Sequence, residues 1–160
     1  MSKSLVVDLE KCTGCRTCEM ACSFMHYGEY NPTKSAIQVS IFTENAFFVP
    51  VVCFQCKKPF CEEVCPTGAL TKNEIDGAFV VLVDKEKCVG CKMCTLACPF
   101  GCITIGYEGI AKKCDLCGGQ PECVVFCPTG AIEFKEERDG ILSKTRLTAE
   151  KIYHQKEVSQ

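Results

Sequence analysis

The cysteines are the residues of this chain best suited to chemistry, and sixteen of the seventeen fall into four runs. The first run is Cys12-x2-Cys15-x2-Cys18-x3-Cys22, and the third is Cys88-x2-Cys91-x2-Cys94-x3-Cys98. Both follow the frame Lys-Cys-x-Gly-Cys-x-x-Cys-x-x-Ala-Cys. The second run is Cys53-x2-Cys56-x4-Cys61-x3-Cys65, the fourth is Cys114-x2-Cys117-x5-Cys123-x3-Cys127, and both end in Cys-Pro-Thr-Gly-Ala. Two kinds of run therefore alternate along the chain.

The spacing of these runs is typical of iron–sulfur ligands. In the bacterial run C-x2-C-x2-C-x3-C-P, three thiolates bind one [4Fe–4S] cluster and the fourth cysteine ligates another. The third run has the whole signature, including Pro99, whereas Ser23 stands in place of the proline after the first run. A zinc site would need cysteine pairs with four ligands per ion. A disulfide framework is typical of oxidising compartments and of an even cysteine count. The pattern predicts four [4Fe–4S] clusters on sixteen cysteines.

Charge and hydropathy exclude two classes of partner. The formal net charge of −2 provides no basic surface for nucleic acid. The longest apolar stretches, 46–54 and 78–83, are far shorter than the roughly 20 residues that span a bilayer, so we expect no membrane span. The first residues show neither an apolar signal region nor a twin-arginine pair. We therefore expect the protein in the cytoplasm.

The remaining chemically able residues have simpler interpretations. Cys102 is left over from the runs and is expected to be a small buried side chain. His26 and His154 are expected to be structural or solvated, because sixteen thiolates already satisfy four clusters. Five lysines stand beside predicted ligands, where their charge would raise cluster potentials or dock an acidic partner if they are not simply solvated: Lys57, Lys58, Lys92, Lys112 and Lys113. No nucleophile elbow, phosphate loop or dinucleotide fingerprint occurs, so we expect no catalytic residues and no enzyme activity in this chain alone.

Short elements must position the cysteines, and their pattern predicts an α+β fold. Alternating or continuous apolar residues predict strands at 5–7, 37–41, 47–52 and 79–83, with turns at 44–45 and 73–77. Short helices are predicted at 17–25 and Met93–Ala97. The pair Phe47-Phe48 is core or, if exposed, a docking patch. The charged residues 135–160 form a tail that is a docking arm or a solvated extension, with an amphipathic helix at 148–158.

These motifs resemble the four-cluster ferredoxin-like subunits of molybdenum and tungsten oxidoreductases, hydrogenases and carbon monoxide dehydrogenase systems. The resemblance covers 7–134. It implies two nested, pseudo-symmetric two-cluster modules, with 49–103 inserted between 1–48 and 104–134. It also implies four ligand sets: a first set of Cys12, Cys15, Cys18 and Cys127; a second of Cys114, Cys117, Cys123 and Cys22; a third of Cys53, Cys56, Cys61 and Cys98; and a fourth of Cys88, Cys91, Cys94 and Cys65.

Two segments narrow the resemblance to the small subunit that accompanies tungsten-dependent aldehyde oxidoreductases of anaerobic metabolism. They are Phe48-Val-Pro-Val-Val-Cys-Phe-Gln-Cys and Lys112-Lys-Cys-Asp-Leu-Cys-Gly-Gly. This resemblance implies a tungsten–pterin catalytic partner, a flavin subunit that reduces a nicotinamide or another acceptor, and stacking of copies into a longer relay. The alternatives are a subunit of a carbon monoxide dehydrogenase, hydrogenase or formate dehydrogenase system, a free polyferredoxin, or a module whose clusters are structural or regulatory.

Overall fold

The computed structural model describes residues 3–136. Short strands and helices alternate along this part of the chain. The strands are β1 (Lys3–Val7), β2 (Gln38–Phe42), β3 (Phe47–Val51), β4 (Leu70–Ile75), β5 (Ala78–Val83), β6 (Ile103–Ile105), β7 (Ala111–Lys113) and β8 (Ile132–Glu136). The α-helices are α1 (Thr17–Tyr27), α2 (Phe60–Glu63), α3 (Met93–Ala97) and α4 (Glu122–Val125), and single 3-10 turns cover Pro32–Lys34, Thr43–Asn45 and Leu116–Gly119.

The strands of the described chain pair into two-stranded antiparallel ribbons. β1 pairs with β8, β2 with β3, β4 with β5, and β6 with β7. Strand β5 separates two apolar clusters: Val80 packs with Leu5, Leu116 and Ile132, whereas its neighbour Val81 packs with residues of β4 and β6. Successive side chains of a strand point to opposite faces, so one strand serves both clusters.

Most predicted elements are present, and the mixed architecture of short strands and helices is as expected. α3 has the predicted bounds, and α1 runs two residues past the predicted end. The turn predicted from residue 73 is wrong, because Asn73 lies inside β4 and pairs with Val80. Asp76 and Gly77 alone form the turn, both with positive φ, as in the Asp-Gly turns that match the twist of a tight hairpin.

Strand β8 also corrects the predicted boundary of the charged tail. Lys135 and Glu136 pair with Ser4 and Lys3 of β1, so the ribbon extends two residues into the segment predicted as tail. The rest of that segment, with the helix predicted at 148–158 and His154, lies outside the described residues. None of the helices between residues 3 and 136 has the length and apolar character needed to cross a bilayer.

The elements around the cysteine runs pack in two pairs. Helix α1 of the first run packs against α4 of the fourth, and β1 and β8 join the same two parts of the chain. Helix α2 of the second run packs against α3 of the third. The division into an outer module and an inserted module stays a prediction, and the β6–β7 ribbon crosses its proposed boundary at residue 103.

Candidate metal centres

The four cysteine runs share a local geometry that their sequences only half reveal. In each run the third cysteine is the second residue of a short helix, at Cys18, Cys61, Cys94 and Cys123. The residue two positions after the first cysteine has positive φ in every run: Gly14 at 68°, Gln55 at 46°, Gly90 at 65° and Leu116 at 56°. Glycine suits this conformation, but Gln55 and Leu116 adopt it at a cost of about 1 kcal/mol or more each. The loop geometry is therefore imposed even where the side chain opposes it.

The chain after the fourth cysteine turns in the same way in three runs. Gly68, Gly101 and Gly130 have positive φ, and each donates its backbone N–H to the carbonyl of the cysteine three residues earlier at 3.3 Å. In the two Cys-Pro-Thr-Gly turns the threonine hydroxyl also approaches the cysteine Sγ, at 3.7 Å for Thr67 and 3.8 Å for Thr129. The motif thus forms a tight turn that fixes the position of its cysteine.

Three of the four predicted ligand sets line three separate cavities. Cys53, Cys56, Cys61 and Cys98 line one, Cys22, Cys114, Cys117 and Cys123 line the second, and Cys65, Cys88, Cys91 and Cys94 line the third. Each cavity thus contains three cysteines of one run and the last cysteine of another, with Cys53 added in the second cavity and Cys102 in the first. Four converging cysteine sulfurs are the donor set that a [4Fe–4S] cluster takes, so the residues fit the group.

The cysteines of the first set lie where α1 packs on α4. Cys12 and Cys15 lie near Cys18, and Cys127 packs against the apolar cluster that contains Cys18. Membership of all four sets stays a prediction.

Burial strongly affects the thiols that lie deepest. It raises the pKa of Cys18 to about 12, with the nearby Glu19 carboxylate adding to the rise, and it raises the pKa of Cys123 and Cys114 well above the usual range. Buried thiols without metal would therefore stay protonated at neutral pH. Iron binding must displace these protons, which couples metal affinity to pH and cluster assembly to folding.

The pKa is lowered, not raised, at the last cysteines of the first and fourth runs. Burial opposes ionisation of Cys22, but hydrogen bonds from His26 and the Ala36 N–H outweigh it and lower the pKa. Burial is likewise outweighed at Cys127 by the Ile132 N–H and the Thr129 hydroxyl, so the pKa is lowered there too. The sequence analysis predicts neither the threonine nor His26 to act on a ligand, although the repeated Cys-Pro-Thr-Gly is a visible signal.

His26 lies in the last turn of α1 and is occupied at both ring nitrogens. Its Nδ1 donates to the Cys22 carbonyl at 2.8 Å, and its Nε2 donates to Asp115 at 2.9 Å. The hydrogen bond to Asp115, followed by that to Cys22, raises the pKa of His26 to about 11. Both ring nitrogens are therefore engaged in hydrogen bonds, which agrees with a structural role.

Cys102 is buried, as expected, and lies outside the predicted sets. Its Sγ donates to the Val52 carbonyl at 3.2 Å, and burial raises its pKa to about 12, so it is a neutral thiol in the wall of the Cys53 cavity. The Phe47-Phe48 pair is half-buried rather than exposed, and the Phe48 ring lies directly over Gly14. Of the two interpretations of that pair, packing against the first run fits these contacts.

Family models indicate what the cysteine runs bind. The model of a 4Fe–4S dicluster domain matches residues 44–137, and a second 4Fe–4S dicluster model matches residues 11–70. The chain belongs to the 4Fe–4S dicluster domain family. The two matches together span all four cysteine runs, and the chain carries four [4Fe–4S] clusters, as predicted.

Curated relatives are similar over most of the chain. The polyferredoxin-like subunit of aliphatic sulfonate oxidoreductase from Pyrococcus furiosus is 42% identical over 125 residues, which cover 77% of this chain and 70% of the relative. The B subunit of anaerobic dimethyl sulfoxide reductase from Escherichia coli is 37% identical over 147 residues, 80% of this chain and 70% of the relative. Electron transport protein HydN from Escherichia coli is 31% identical over 156 residues, 82% of this chain and 87% of the relative.

A solved structure shares the fold. The active site complex BamBC of benzoyl coenzyme A reductase in complex with zinc contains a chain that superposes with a TM-score of 0.50 at 23% identity, over 92% of this chain and 90% of that one. With the curated relatives, the family places this chain among the iron–sulfur electron-transfer proteins that serve oxidoreductase complexes.

Proposed function

We propose that this chain relays single electrons between a tungsten–pterin subunit that oxidises aldehydes and a flavin subunit that reduces a nicotinamide or another acceptor. The segments that begin at Phe48 and Lys112 support the tungsten assignment through their resemblance to small subunits of such enzymes. The Pyrococcus furiosus relative, itself a polyferredoxin-like subunit of an oxidoreductase, supports a subunit rather than an enzyme. In this proposal the chain contributes no catalytic residue.

The proposed ligands are the four sets named from the resemblance. The observation that carries this assignment is that three independent cavities each gather the four cysteines of one set and thus join a run to its proposed partner run. The packing of α1 on α4 and of α2 on α3 supports the nested modules in the same way. A [4Fe–4S] cluster supplies the site with a centre that takes up and releases one electron.

The sets follow one another in a linear order. The first and second sets share the first and fourth runs, and the third and fourth sets share the second and third runs. Cys53 joins the two halves, because it lines both the cavity of the second set and that of the third. The proposed relay therefore has the second and third sets in its middle and the first and fourth at its ends.

Exposed apolar side chains flank the cysteines at both ends. Val125 is 71% exposed and Phe126 is 56% exposed immediately before Cys127 of the first set. Val89 is 69% exposed between Cys88 and Cys91, a solvent-exposed member of the fourth set, and Leu96 is 81% exposed two residues after Cys94 of the same set. Exposed apolar patches mark interaction sites. Phe60 and Phe100 at the cavity of the third set are also exposed, so these side chains do not by themselves mark the ends of the relay. We take their presence at both terminal sets as support for a subunit with two fixed partners over a free carrier.

Anaerobic affinity purification from the native host, followed by metal analysis and mass spectrometry, tests the partner. We expect tungsten with a large pterin-binding subunit and a flavin subunit. Nickel would overturn the tungsten assignment in favour of carbon monoxide dehydrogenase or hydrogenase, and molybdenum in favour of a formate dehydrogenase or another molybdenum enzyme. About sixteen irons with no partner would leave a free polyferredoxin.

Variants of the two apolar patches test the docking geometry. Leu96→Glu and Val125→Glu are each expected to lose a different partner on purification and to keep the iron content of the wild type. Tyr107→Glu, a change at a 78% exposed side chain on the β6–β7 loop, is the matched control and should keep both partners. Loss of the same partner in both variants would contradict a relay with two ends. Light scattering of the purified holo-protein tests the predicted stacking of copies.

A further inference from the structure

Lys113 is a half-buried cation at the junction between the two middle cysteine sets. It is the last residue of β7 and immediately precedes Cys114 of the second set. Its side chain lines the cavity of the third set together with Cys53, Cys56, Cys61 and Cys98. Two basic residues line the three cysteine cavities, Lys113 and Lys92. Lys92 is exposed beside Cys91, so Lys113 is the one that is half-buried.

The Lys113 ammonium is held in place by Gln55. Gln55 is 8% exposed, and its Oε1 accepts from Lys113 Nζ at 2.7 Å and from the Val81 N–H at 3.1 Å. Its Nε2 donates to the Cys114 carbonyl at 2.7 Å, and Lys113 Nζ lies 3.3 Å from the same carbonyl oxygen. One buried amide thus links the second run, β5, Lys113 and the fourth run.

The backbone of Gln55 is strained to make this link. Its φ of 46° is the conformation that Gly14 and Gly90 adopt at the equivalent positions of the first and third runs. Non-glycine residues rarely adopt this conformation, and such strain persists only where surrounding structure stabilises it. The three side-chain hydrogen bonds of Gln55 are that stabilisation, and glycine could make none of them.

Lys113 lies close to cysteines of both middle sets. It lines the cavity of the third set with Cys56 and Cys61, and its Nζ lies 3.3 Å from the carbonyl oxygen of Cys114 in the second set. Because Lys113 is half-buried, its field is screened less by solvent and salt than that of the exposed Lys57 and Lys58.

We propose that Lys113, positioned by Gln55, raises the reduction potential of the cluster held by Cys53, Cys56, Cys61 and Cys98 and so sets the step between the two middle clusters. Reduction adds a negative charge to a cluster, and a fixed neighbouring cation stabilises the reduced form. Nearby charge and hydrogen bonding are among the properties by which a protein adjusts such potentials. The inference rests on the ligand sets proposed above and adds a determinant of the potential to them.

A redox titration of the reconstituted full-length chain, followed by electron paramagnetic resonance, tests the proposal. In Lys113→Gln we expect one of the cluster potentials to move to a lower value and the iron content to stay at that of the wild type. Lys113→Arg keeps the charge and should leave that potential near the wild-type value. Lys58→Gln is the matched control, because it removes an exposed charge from the second run, between Cys56 and Cys61 of the third set. It should shift no potential. Cys56→Ser identifies the affected cluster, because it changes or removes the signal of the third set.

Gln55→Met tests the positioning role separately. It keeps the side-chain length, removes all three hydrogen bonds, and should lower the same potential by less than Lys113→Gln does. An unmoved potential in Lys113→Gln, or an equal shift in Lys58→Gln, would overturn the proposal. Loss of iron in Lys113→Gln would overturn it too, by showing that the lysine holds the cluster. Wild-type protein with clearly fewer than about sixteen irons would instead overturn the ligand sets of the proposed function.

Discussion

The first and third cysteine runs share one sequence frame but send the chain in different directions. Up to the third cysteine their backbones match: Gly14 and Arg16 have positive φ, and so do Gly90 and Lys92. After that point they diverge. Helix α1 continues through Cys22 to Tyr27, whereas α3 stops at Ala97 and leaves Cys98 extended with ψ of 111°.

The residue after the fourth cysteine accounts for this difference. A proline disfavours the helical conformation in the residue before it, so Pro99 forces Cys98 out of the helix. Ser23 imposes no such restriction and is fully buried, where its Oγ donates to the Met20 carbonyl and accepts from the Asn31 N–H, each at 3.0 Å. Cysteine spacing therefore determines the loop, and a proline after the fourth cysteine prevents the helix from continuing through that cysteine.

Replacing Ser23 by proline should have the largest effect on the iron content and stability. Proline in a helix interior costs about 3 kcal/mol or more, and Ser23→Pro would also remove both buried Oγ hydrogen bonds. We expect this variant to misplace Cys22 and to lose the cluster of the second set. Iron analysis of the reconstituted chain should then fall from about sixteen to about twelve atoms.

Pro99→Ser is the reciprocal control for Ser23→Pro. It relieves a restriction instead of adding one, so we expect a loss of stability of less than about 1 kcal/mol and the full iron content. If Ser23→Pro kept all its iron, as Pro99→Ser is expected to do, a proline after the first run would not displace Cys22.

Gly14 and Gly90 allow the next test of the difference between the first and third runs, because a side chain crowds the first glycine and backbone crowds the second. A Cβ at Gly14 would lie 2.4 Å from the Phe48 ring, a side chain that can rotate away. A Cβ at Gly90 would lie 2.2 Å from the Gly109 carbonyl oxygen, which belongs to the backbone. Both positions also have positive φ. We expect Gly90→Ala to destabilise the holo-protein by about 3 kcal/mol and Gly14→Ala by about 2 kcal/mol.

Thermal unfolding of the holo-protein under strict anaerobiosis measures this ranking. For a chain of this size, 1 kcal/mol corresponds to a shift of the midpoint of roughly 2–4 °C. Phe48→Leu combined with Gly14→Ala should recover part of the loss, since the smaller side chain leaves room for the new Cβ. A larger loss at Gly14 than at Gly90 would show that the Phe48 ring cannot move.

The repeated parts of the molecule could be predicted from the sequence better than the parts that join them. Cysteine spacing and glycines are local signals, and they predicted the clusters, α1 and α3. The positive φ of Gln55 and Leu116 could not be predicted from the local sequence. The second and fourth runs have no glycine at this position, and tertiary contacts hold the backbone in the conformation that glycine adopts in the other two runs. The strands β6 and β7 are three residues each, too short for periodicity to show.

His26 shows the same limit for side chains. Its partner Asp115 lies 89 residues further along the chain, so the pair arises from the packing of the first run against the fourth. In the third run the equivalent position, four residues after the last cysteine, is Cys102.

A double-mutant cycle of His26→Gln and Asp115→Asn should give a coupling of about 1 kcal/mol, because both side chains are partly exposed to solvent. Additive effects would mean that the ion pair contributes nothing to stability.

Substitution of Cys102 should have the smallest effect on stability and iron content. Its Sγ donates to the Val52 carbonyl at 3.2 Å, and Cys102 belongs to none of the proposed sets. Cys102→Ala removes one buried sulfur and one weak hydrogen bond, so we expect a loss of about 1 kcal/mol and an iron content unchanged at about sixteen. Cys98→Ala, a change four residues earlier, is the matched control and should reduce the iron to about twelve. If Cys102→Ala lost four irons and Cys98→Ala did not, Cys102 would be the ligand that follows the third run. The extended backbone that Pro99 imposes on Cys98 would then have no part in placing a ligand.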